Sequence, residues 1–167
     1  MGGELRAMGF NLDWAPVADV DSNPNNPVIG DRALSRETDV VARNVNAFLD
    51  GLHQVGVMGS VKHFPGHGDT NTDSHIELPV VDKDVGDLEH CELVPFRAAI
   101  VHGVEIVMSA HVMFPALDES VPATMSSPIL RGWLRERLGY EGIIVSDDME
   151  MGAVRGRYPL EQQLDQA

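Results

Sequence analysis

The sequence predicts an α/β fold, and three features of the chain lead to that prediction. Four short apolar runs rich in β-branched residues start roughly 40 residues apart, as expected for strands buried on both faces. Helical patterns of apolar residues fill the intervals, which are long enough for crossovers between parallel strands. Polar and titratable residues follow each run. Because four separate strand ends carry such residues, we expect a (β/α)8 TIM-barrel type rather than an open doubly wound sheet.

The predicted strands lie within residues 10–20, 56–64, 104–112 and 142–149. Their polar ends are, in order, Asp19 with Asp21, Lys62 with His63, His111, and Asp147 with Asp148. Four strands make about half of an eight-stranded barrel. We therefore interpret residues 1–167 as a single partial barrel domain.

Three helices are predicted between these strands. The first follows Ser35 and ends at Gly56, with helical spacing of Val40, Val41, Val45, Phe48, Leu49 and Leu52. The second covers 84–103, with a bend or a start near Pro95. The third covers 126–139, with a serine cap, Pro128 at the first helical position and Gly139 past the end.

Composition narrows the classes of partner. A net charge of −14 repels nucleic acid and anionic membranes, and no apolar run reaches the roughly 18 residues of a membrane helix. We expect no nucleic-acid partner, no membrane partner and no cofactor. The partner most compatible with this negative electrostatic field is a neutral small molecule. The N-terminus shows no signal peptide and Cys91 is the only cysteine, so we expect a cytoplasmic protein.

The stretch "KHFPGHGDTNTDSH", residues 62–75, is too polar for a strand core, and three interpretations of it remain open. It could be a solvated, glycine-rich surface loop. It could bind a metal, although the spacing matches no compact zinc signature; the available ligands are His63, His67, Asp69, Asp73 and His75. It could be an acid–base loop, because Asp73 and His75 lie two positions apart and would project to one side of an extended segment. A carboxylate bound to one imidazole nitrogen raises the basicity of the other.

The fourth strand end, "IIVSDDM", supplies a candidate nucleophile. Adjacent aspartates on a continuing strand point to opposite sides, so one of the two faces the site. An aspartate here could instead cap a helix, and we assign that role to Asp148. Asp147 is then the residue at the strand tip.

The loop sequence resembles the signature of the glycoside hydrolase family 3 β-N-acetylhexosaminidases of the bacterial NagZ group. The blocks "FNLDWAPVADVDSNPNNPVIGDRALS", "MSAHVMFPALD" and "PATMSSPILRGWLRERLGYEGIIVSDDMEMGAV" resemble successive blocks of the same family in the same order. The match covers nearly all of residues 1–158. It implies a (β/α)8 barrel and a retaining exo-hydrolase that removes terminal β-linked N-acetylglucosamine, typically from peptidoglycan-derived saccharides.

The resemblance also implies roles for individual residues. Asp147 would be the nucleophile, His75 the acid and base, and Asp73 the residue that orients His75. The contacts to sugar hydroxyls would come from Arg32, Lys62 and His63. Arg32 could instead pair with Asp31 or Glu37, and His63 could be a satisfied buried histidine. We expect His67 to support the loop through backbone contacts.

His111 and Met113, at the third strand end, are predicted to line the sugar pocket, although core packing explains Met113 equally well.

The chain departs from the family in length. It is expected to begin inside the helix before the third barrel strand and to stop after the sixth. The resulting open strand edges predict self-association or pairing with a complementing half-barrel. Three alternatives to the hydrolase remain: an N-acetylglucosaminide phosphorylase, a metallohydrolase, and an inactive sugar-binding or assembly fragment.

Overall fold

The computed structural model describes residues 1–159 and 161–163. Its centre is a parallel four-stranded sheet in which every strand pairs with its neighbour in the chain, in the order β1, β2, β3, β4. In chain order, the elements are α1 (Gly2–Ala7), β1 (Leu12–Asp13), α2 (Thr38–His53), β2 (Met58–Phe64), α3 (Val85–His90), α4 (Leu93–His102), β3 (Ile106–Ser109), a π-helix (Pro128–Arg137) and β4 (Ile143–Ser146). Short 3-10 turns lie at Gly30–Arg32 and Ala123–Met125. The predicted α/β class is confirmed.

The first strand is much shorter than the predicted run of residues 10–20. Strand β1 ends at Asp13, and Pro16, which has no N–H for a ladder bond, follows shortly after. The chain stays beside β2, since the carbonyls of Ala15 and Pro16 accept from Ser60 and Lys62 and Val17 forms a bridge with Lys62. This irregular extension of β1 carries Asp19 to the end of β2.

Helix α2 packs its apolar stripe against β2, as the spacing predicts. Val41, Val45 and Leu49 on this stripe are fully buried. Gly59 permits the close approach, because a Cβ there would lie 2.3 Å from Cδ2 of Leu49. The helix ends before Gly56, whose φ of +72° is readily adopted only by glycine.

The segment predicted as a helix over 84–103, with a bend or a start near Pro95, forms two helices, α3 and α4, and the second begins at Leu93. The chain breaks at Cys91, where φ is −123° and ψ is −81°. Pro95 lies in the first turn of α4, where a missing N–H breaks no helical bond. The break places Glu92 in the interior, with 1% of its surface exposed.

The third predicted helix begins at Pro128 and its C-terminal glycine, Gly139, has a φ of +70°, as expected. Its winding is wider than an α-helix, since the N–H of Leu138 donates to the carbonyl of Trp133, five residues earlier. The side-chain oxygen of Ser126 accepts from the N–H of Ile129 and satisfies one free donor of the first turn.

Within residues 1–159 and 161–163, no strand pairs with the outer side of β1 or of β4, so these are the open edges that the sequence predicts. All four residues of β3 are buried, whereas those of β4 are exposed or half-buried. Ile143, at the start of β4, is 56% exposed. The sheet is therefore well covered in its middle and poorly covered at β4.

The core depends on aromatic packing between β2 and α4. The rings of Phe64 and Phe96 are both fully buried and meet edge to face, with centroids 5.3 Å apart.

We expect Phe64→Ala to lower the free energy of unfolding by about 3–5 kcal/mol, because the truncation leaves a cavity in this core. Urea unfolding measures the change. The matched control is Phe10→Ala, at a side chain that is 53% exposed, which should change stability by less than about 0.5 kcal/mol. Equal losses in both variants would contradict this account of the core.

Candidate active site

Neighbouring segments bring titratable side chains to the carboxyl end of the sheet. His63 lies at the end of β2, and Asp147 immediately follows β4. Because the strands are parallel, these ends meet at one edge of the sheet. The Nε2 atom of His63 lies 3.9 Å from Oδ2 of Asp147. The structure thus brings the predicted nucleophile and one predicted sugar-binding residue together.

Lys62 is the second predicted sugar-binding residue at this edge. Its side chain is half-buried, and its charge interacts with that of Asp147. Burial lowers the pKa of the Lys62 ammonium, and attraction to Asp147 offsets this effect only in part. A cation therefore accompanies the candidate nucleophile.

Asp19 is a fully buried carboxylate beneath these residues. Its Oδ2 lies 2.7 Å from Nδ1 of His63, and its Oδ1 accepts from the backbone N–H groups of His63 and His67 at 3.2 and 2.7 Å. Burial acts to raise the pKa of Asp19, but these partners outweigh it and hold the pKa below its ordinary value. Asp19 is therefore ionised at neutral pH.

His67 braces the polar loop through its side chain as well as its backbone. The Thr70 hydroxyl donates to the His67 carbonyl at 3.1 Å, so the His67 Nδ1–H must donate to the Thr70 oxygen at 2.8 Å. The Nε2 atom then accepts from the Ser74 hydroxyl at 3.0 Å. Burial lowers the pKa of His67, which favours this neutral form. His67 thus ties the two ends of the turn before Asp73 together.

Asp73 and His75 form the predicted pair. Oδ1 of Asp73 accepts from the backbone N–H of His75 at 2.8 Å and lies 2.7 Å from its Nδ1. Burial acts to raise the pKa of Asp73, but the hydrogen bonds from His75 hold it below its ordinary value. The imidazole is 63% exposed. A proton on Nδ1 is thus held by Asp73, and Nε2 is left for proton transfer.

The segment that follows β4 holds the backbone of this pair. The N–H of Gly152 donates to the carbonyl of His75, and the N–H of Ala153 donates to the carbonyl of Ser74, both at 3.1 Å. The contact is so close that a Cβ at position 152 would lie 2.6 Å from the His75 oxygen. The strand end that carries Asp147 and the loop that carries His75 are therefore fixed to each other through the backbone.

Arg32 lies on an exposed 3-10 turn, where its Nε donates to the carbonyl of Val28 at 3.1 Å. Among the described residues, it makes no ion pair with Asp31 or Glu37.

The buried side chain of Asn26 connects this turn to the polar loop. Its Oδ1 accepts from the N–H groups of residues 28 and 29, and its Nδ2 donates to the carbonyls of residues 67 and 68.

The adjacent aspartates after β4 have different partners. Oδ1 of Asp147 accepts from the N–H of Asp148 at 2.8 Å, while Oδ2 faces His63. Asp148 is exposed, and its carboxylate accepts from the N–H of Glu150. Asp148 therefore caps a turn here rather than the helix that the sequence predicts, because a turn follows β4.

His111 and Met113, the predicted pocket lining, both make contacts within the protein. His111 is buried, and its two ring nitrogens bond to the Thr124 hydroxyl and the Asp148 carbonyl, each at 3.0 Å. Burial lowers its pKa, although the Asp148 carbonyl opposes this change. Met113 is half-buried, and its backbone pairs with the chain at residues 79–81. His111 therefore holds the turn after Asp147 and has no ring nitrogen left for a sugar.

Other features of the described residues lie outside this site. A cavity of about 580 Å³ lies between the π-helix and β4, and its lining includes none of the predicted site residues. Within residues 1–159 and 161–163, no group of three or more His, Cys, Asp or Glu side chains is placed to hold a metal ion. In the same part of the chain, each helix is too short or too polar to span a membrane.

Sequence reasoning gave no role to three residues that hold the site together: Asp19, Asn26 and Gly152. Asp19 had a recognisable signal, since it is a lone carboxylate inside the apolar run "APVADV". A charge within such a run is expected to be buried and paired. The roles of Asn26 and Gly152 depend on contacts between distant segments and leave no local pattern.

The chain matches known proteins over its full length. The family model for the glycosyl hydrolase family 3 N terminal domain matches residues 1–167. A beta-hexosaminidase of Nitrosomonas eutropha is 41% identical over 167 residues, which are 100% of this chain and 47% of that protein. The chain thus spans about half of that relative.

Solved structures show the same relationship. A glycoside hydrolase family 3 beta-N-acetylglucosaminidase from Paenibacillus sp. str. FPU-7 superposes with a TM-score of 0.97 at 47% identity, over 99% of this chain and 32% of that one. NagZ from Neisseria gonorrhoeae in complex with N-trifluoroacetyl-D-glucosamine gives a TM-score of 0.88 at 36% identity, over 98% and 46%. The chain belongs to the glycosyl hydrolase family 3 N-terminal domain family, and the predicted barrel-type fold is confirmed.

The contact between Gly152 and the loop generates a prediction. We expect Gly152→Ala to push residues 75 and 76 away, because the new Cβ would lie 2.6 and 2.8 Å from their carbonyl oxygens. Amide hydrogen exchange at residues 74–77 should accelerate at least about tenfold, as expected when local bonds open. The control is Gly132→Ala on the π-helix, where the Cβ has no neighbour within 4 Å. Unchanged exchange in Gly152→Ala would show that this contact does not fix the loop.

Proposed function

We propose that this chain carries the catalytic groups of a retaining β-N-acetylglucosaminidase, which removes terminal β-linked N-acetylglucosamine. The observation that carries the proposal is the Asp73–His75 pair on a loop whose backbone bonds to the segment after Asp147. A carboxylate nucleophile and a proton-transfer group are the two elements that retention of configuration requires. The family and the names of the relatives support the same chemistry.

In the first step, a carboxylate oxygen of Asp147 attacks the anomeric carbon. The bond between that carbon and the leaving oxygen breaks, and its electron pair goes to the oxygen. The leaving oxygen takes a proton from Nε2 of His75, while Asp73 keeps its bond to Nδ1. The products are a glycosyl ester on Asp147 and a free alcohol.

In the second step, Nε2 of His75 takes a proton from water. The water oxygen attacks the anomeric carbon, and the bond from that carbon to Asp147 breaks with its electron pair returning to the carboxylate. Two inversions restore the β configuration. Both catalytic groups are back in their starting protonation states.

An imidazole suits both steps. The unperturbed pKa of histidine, about 6.5, allows it to give and to take a proton near neutral pH. Most retaining enzymes use a second carboxylate about 5 Å from the first. The neutral base also places no second anion beside the acceptor, so phosphate could replace water and give the phosphorylase alternative.

The sugar hydroxyls would be bound by Arg32, Lys62 and His63. Lys62 and His63 lie on a strand, which holds their positions rigidly. Peptidoglycan-derived saccharides, which the resemblance to the NagZ group implies, are the proposed natural substrates. The open outer sides of β1 and β4 are where further strands of a longer polypeptide, a complementing half-barrel or a second copy would pair.

The nucleophile assignment is tested with 4-nitrophenyl N-acetyl-β-glucosaminide. Asp147→Asn should lower turnover at least about 1,000-fold, because the amide cannot form the ester. The matched control is Asp148→Asn, at the adjacent carboxylate, which should keep turnover within about threefold. Equal rates in Asp147→Asn and the parent chain would refute the assignment.

Four further measurements separate the alternatives. A chelator should leave the rate unchanged; loss that zinc restores would indicate a metallohydrolase. Added inorganic phosphate should leave N-acetylglucosamine as the product, whereas its 1-phosphate would indicate phosphorolysis. A rate per chain that rises with protein concentration would indicate assembly through the open edges. Sugar binding without turnover would indicate an inactive fragment.

The acid–base role of His75 predicts a dependence on the leaving group. His75→Ala should lower kcat/KM strongly for an alkyl aglycone and weakly for 2,4-dinitrophenolate, which leaves without a proton. With the activated substrate, the glycosyl-enzyme should accumulate as a burst, because water then lacks its base. The control is His102→Ala, which removes an imidazole that pairs with Asp50. Equal losses on both substrates would exclude proton transfer by His75.

A further inference from the structure

Asp19 is not one of the three proposed catalytic residues, Asp73, His75 and Asp147, yet it contacts the site through His63. Its side chain is 0% exposed and accepts from three donors, two of which belong to His63. A charge buried this completely is costly unless each lone pair is engaged. Asp19 is thus held in a single orientation. One of its oxygens binds backbone N–H groups, and the other binds the His63 ring.

The two carboxylate oxygens have separate partners. Oδ1 accepts from the backbone N–H groups of His63 and His67, and this oxygen fixes the chain. Oδ2 lies 2.7 Å from Nδ1 of His63 and contacts a side chain. An ionised carboxylate can only accept, so Nδ1 must carry the proton in this contact.

The other ring nitrogen of His63 faces the site. Nε2 lies 3.9 Å from Oδ2 of Asp147, and the His63 side chain is only 6% exposed. The edge of the His67 ring packs against it, with centroids 5.8 Å apart. A buried ring bound on one side by Asp19 and packed by His67 has little freedom to turn.

We propose that Asp19 is a positioning residue that keeps a proton on Nδ1 of His63 and so presents Nε2 to Asp147 and to the sugar. Without this anion, the neutral ring could move its proton to Nε2. An Nε2–H would donate toward Asp147 and engage the lone pair that attacks the anomeric carbon. The effect on catalysis rests on the proposed function, whereas the proton position does not.

Asp19→Asn tests the proposal. The amide oxygen can keep the two backbone bonds of Oδ1, and the amide nitrogen then replaces Oδ2 and donates to Nδ1. The substitution therefore preserves the backbone contacts and reverses one hydrogen bond. Asp19→Ala, by contrast, would remove all three contacts. A loss of activity could then come from a folding defect as well as from the changed orientation of His63.

The first measurement is the ¹⁵N spectrum of the histidine side chains at pH 8, with the His63 signals assigned by their loss in His63→Gln. In the parent chain, Nδ1 of His63 should be protonated. In Asp19→Asn, Nδ1 should lose its proton and Nε2 should carry it. An unprotonated Nδ1 in the parent chain, or the same proton position in both proteins, would overturn the proposal.

The second measurement is turnover. Asp19→Asn should lower kcat/KM about 10- to 100-fold, the range seen when the partner of a metal-binding histidine is removed, because Asp19 orients His63 in the same way. The matched control is Asp21→Asn, which removes a carboxylate two residues away that pairs with Arg36. It should keep the parent rate and the parent proton position. A moved proton with an unchanged rate would overturn the catalytic part alone, and a parent chain without turnover would reject the proposed function alone.

Discussion

The site depends on one buried anion. Asp19 is fully enclosed by protein and remains ionised because three N–H groups converge on it. The cost of burying a charge is offset only if every one of these donors stays in place. This requirement joins the end of β2 to the start of the polar loop, since the donors come from His63 and His67. Removing any one donor would leave part of a buried charge unpaired.

The density of polar residues in the loop has two separate causes. His67, Thr70 and Ser74 are buried, and they exchange hydrogen bonds that give the turn its shape. Asp73 is half-buried and His75 is exposed, and the two side chains bind each other. The first set forms a rigid base and the second set performs the proposed proton transfer. The same residue types therefore serve structure when they are buried and chemistry when they reach solvent.

The sequence predicts those parts of the molecule that depend on local pattern. The apolar runs mark β2, β3 and β4, and parallel strands bring their polar ends together, so His63 and Asp147 could be placed near each other beforehand. A bend or a start near Pro95 could be predicted, but the exact position of the break at Cys91 could not, because helical spacing continues through it. The buried bonds of His111 were equally hidden, since its position at a strand end suits a pocket and a core alike. The residues alone offered Asp73 and His75 as one of three interpretations of the loop and Asp147 as a candidate nucleophile, and the resemblance to a family selected these roles.

The passage of Gly152 against the carbonyls of residues 75 and 76 has a consequence for the order of folding. During synthesis, the loop emerges from the ribosome long before its anchor does. The bonds from residues 152 and 153 cannot form before that segment has been synthesised. Until then the loop lacks these two bonds, and a nascent chain released before this point would lack this anchor for residues 74 and 75.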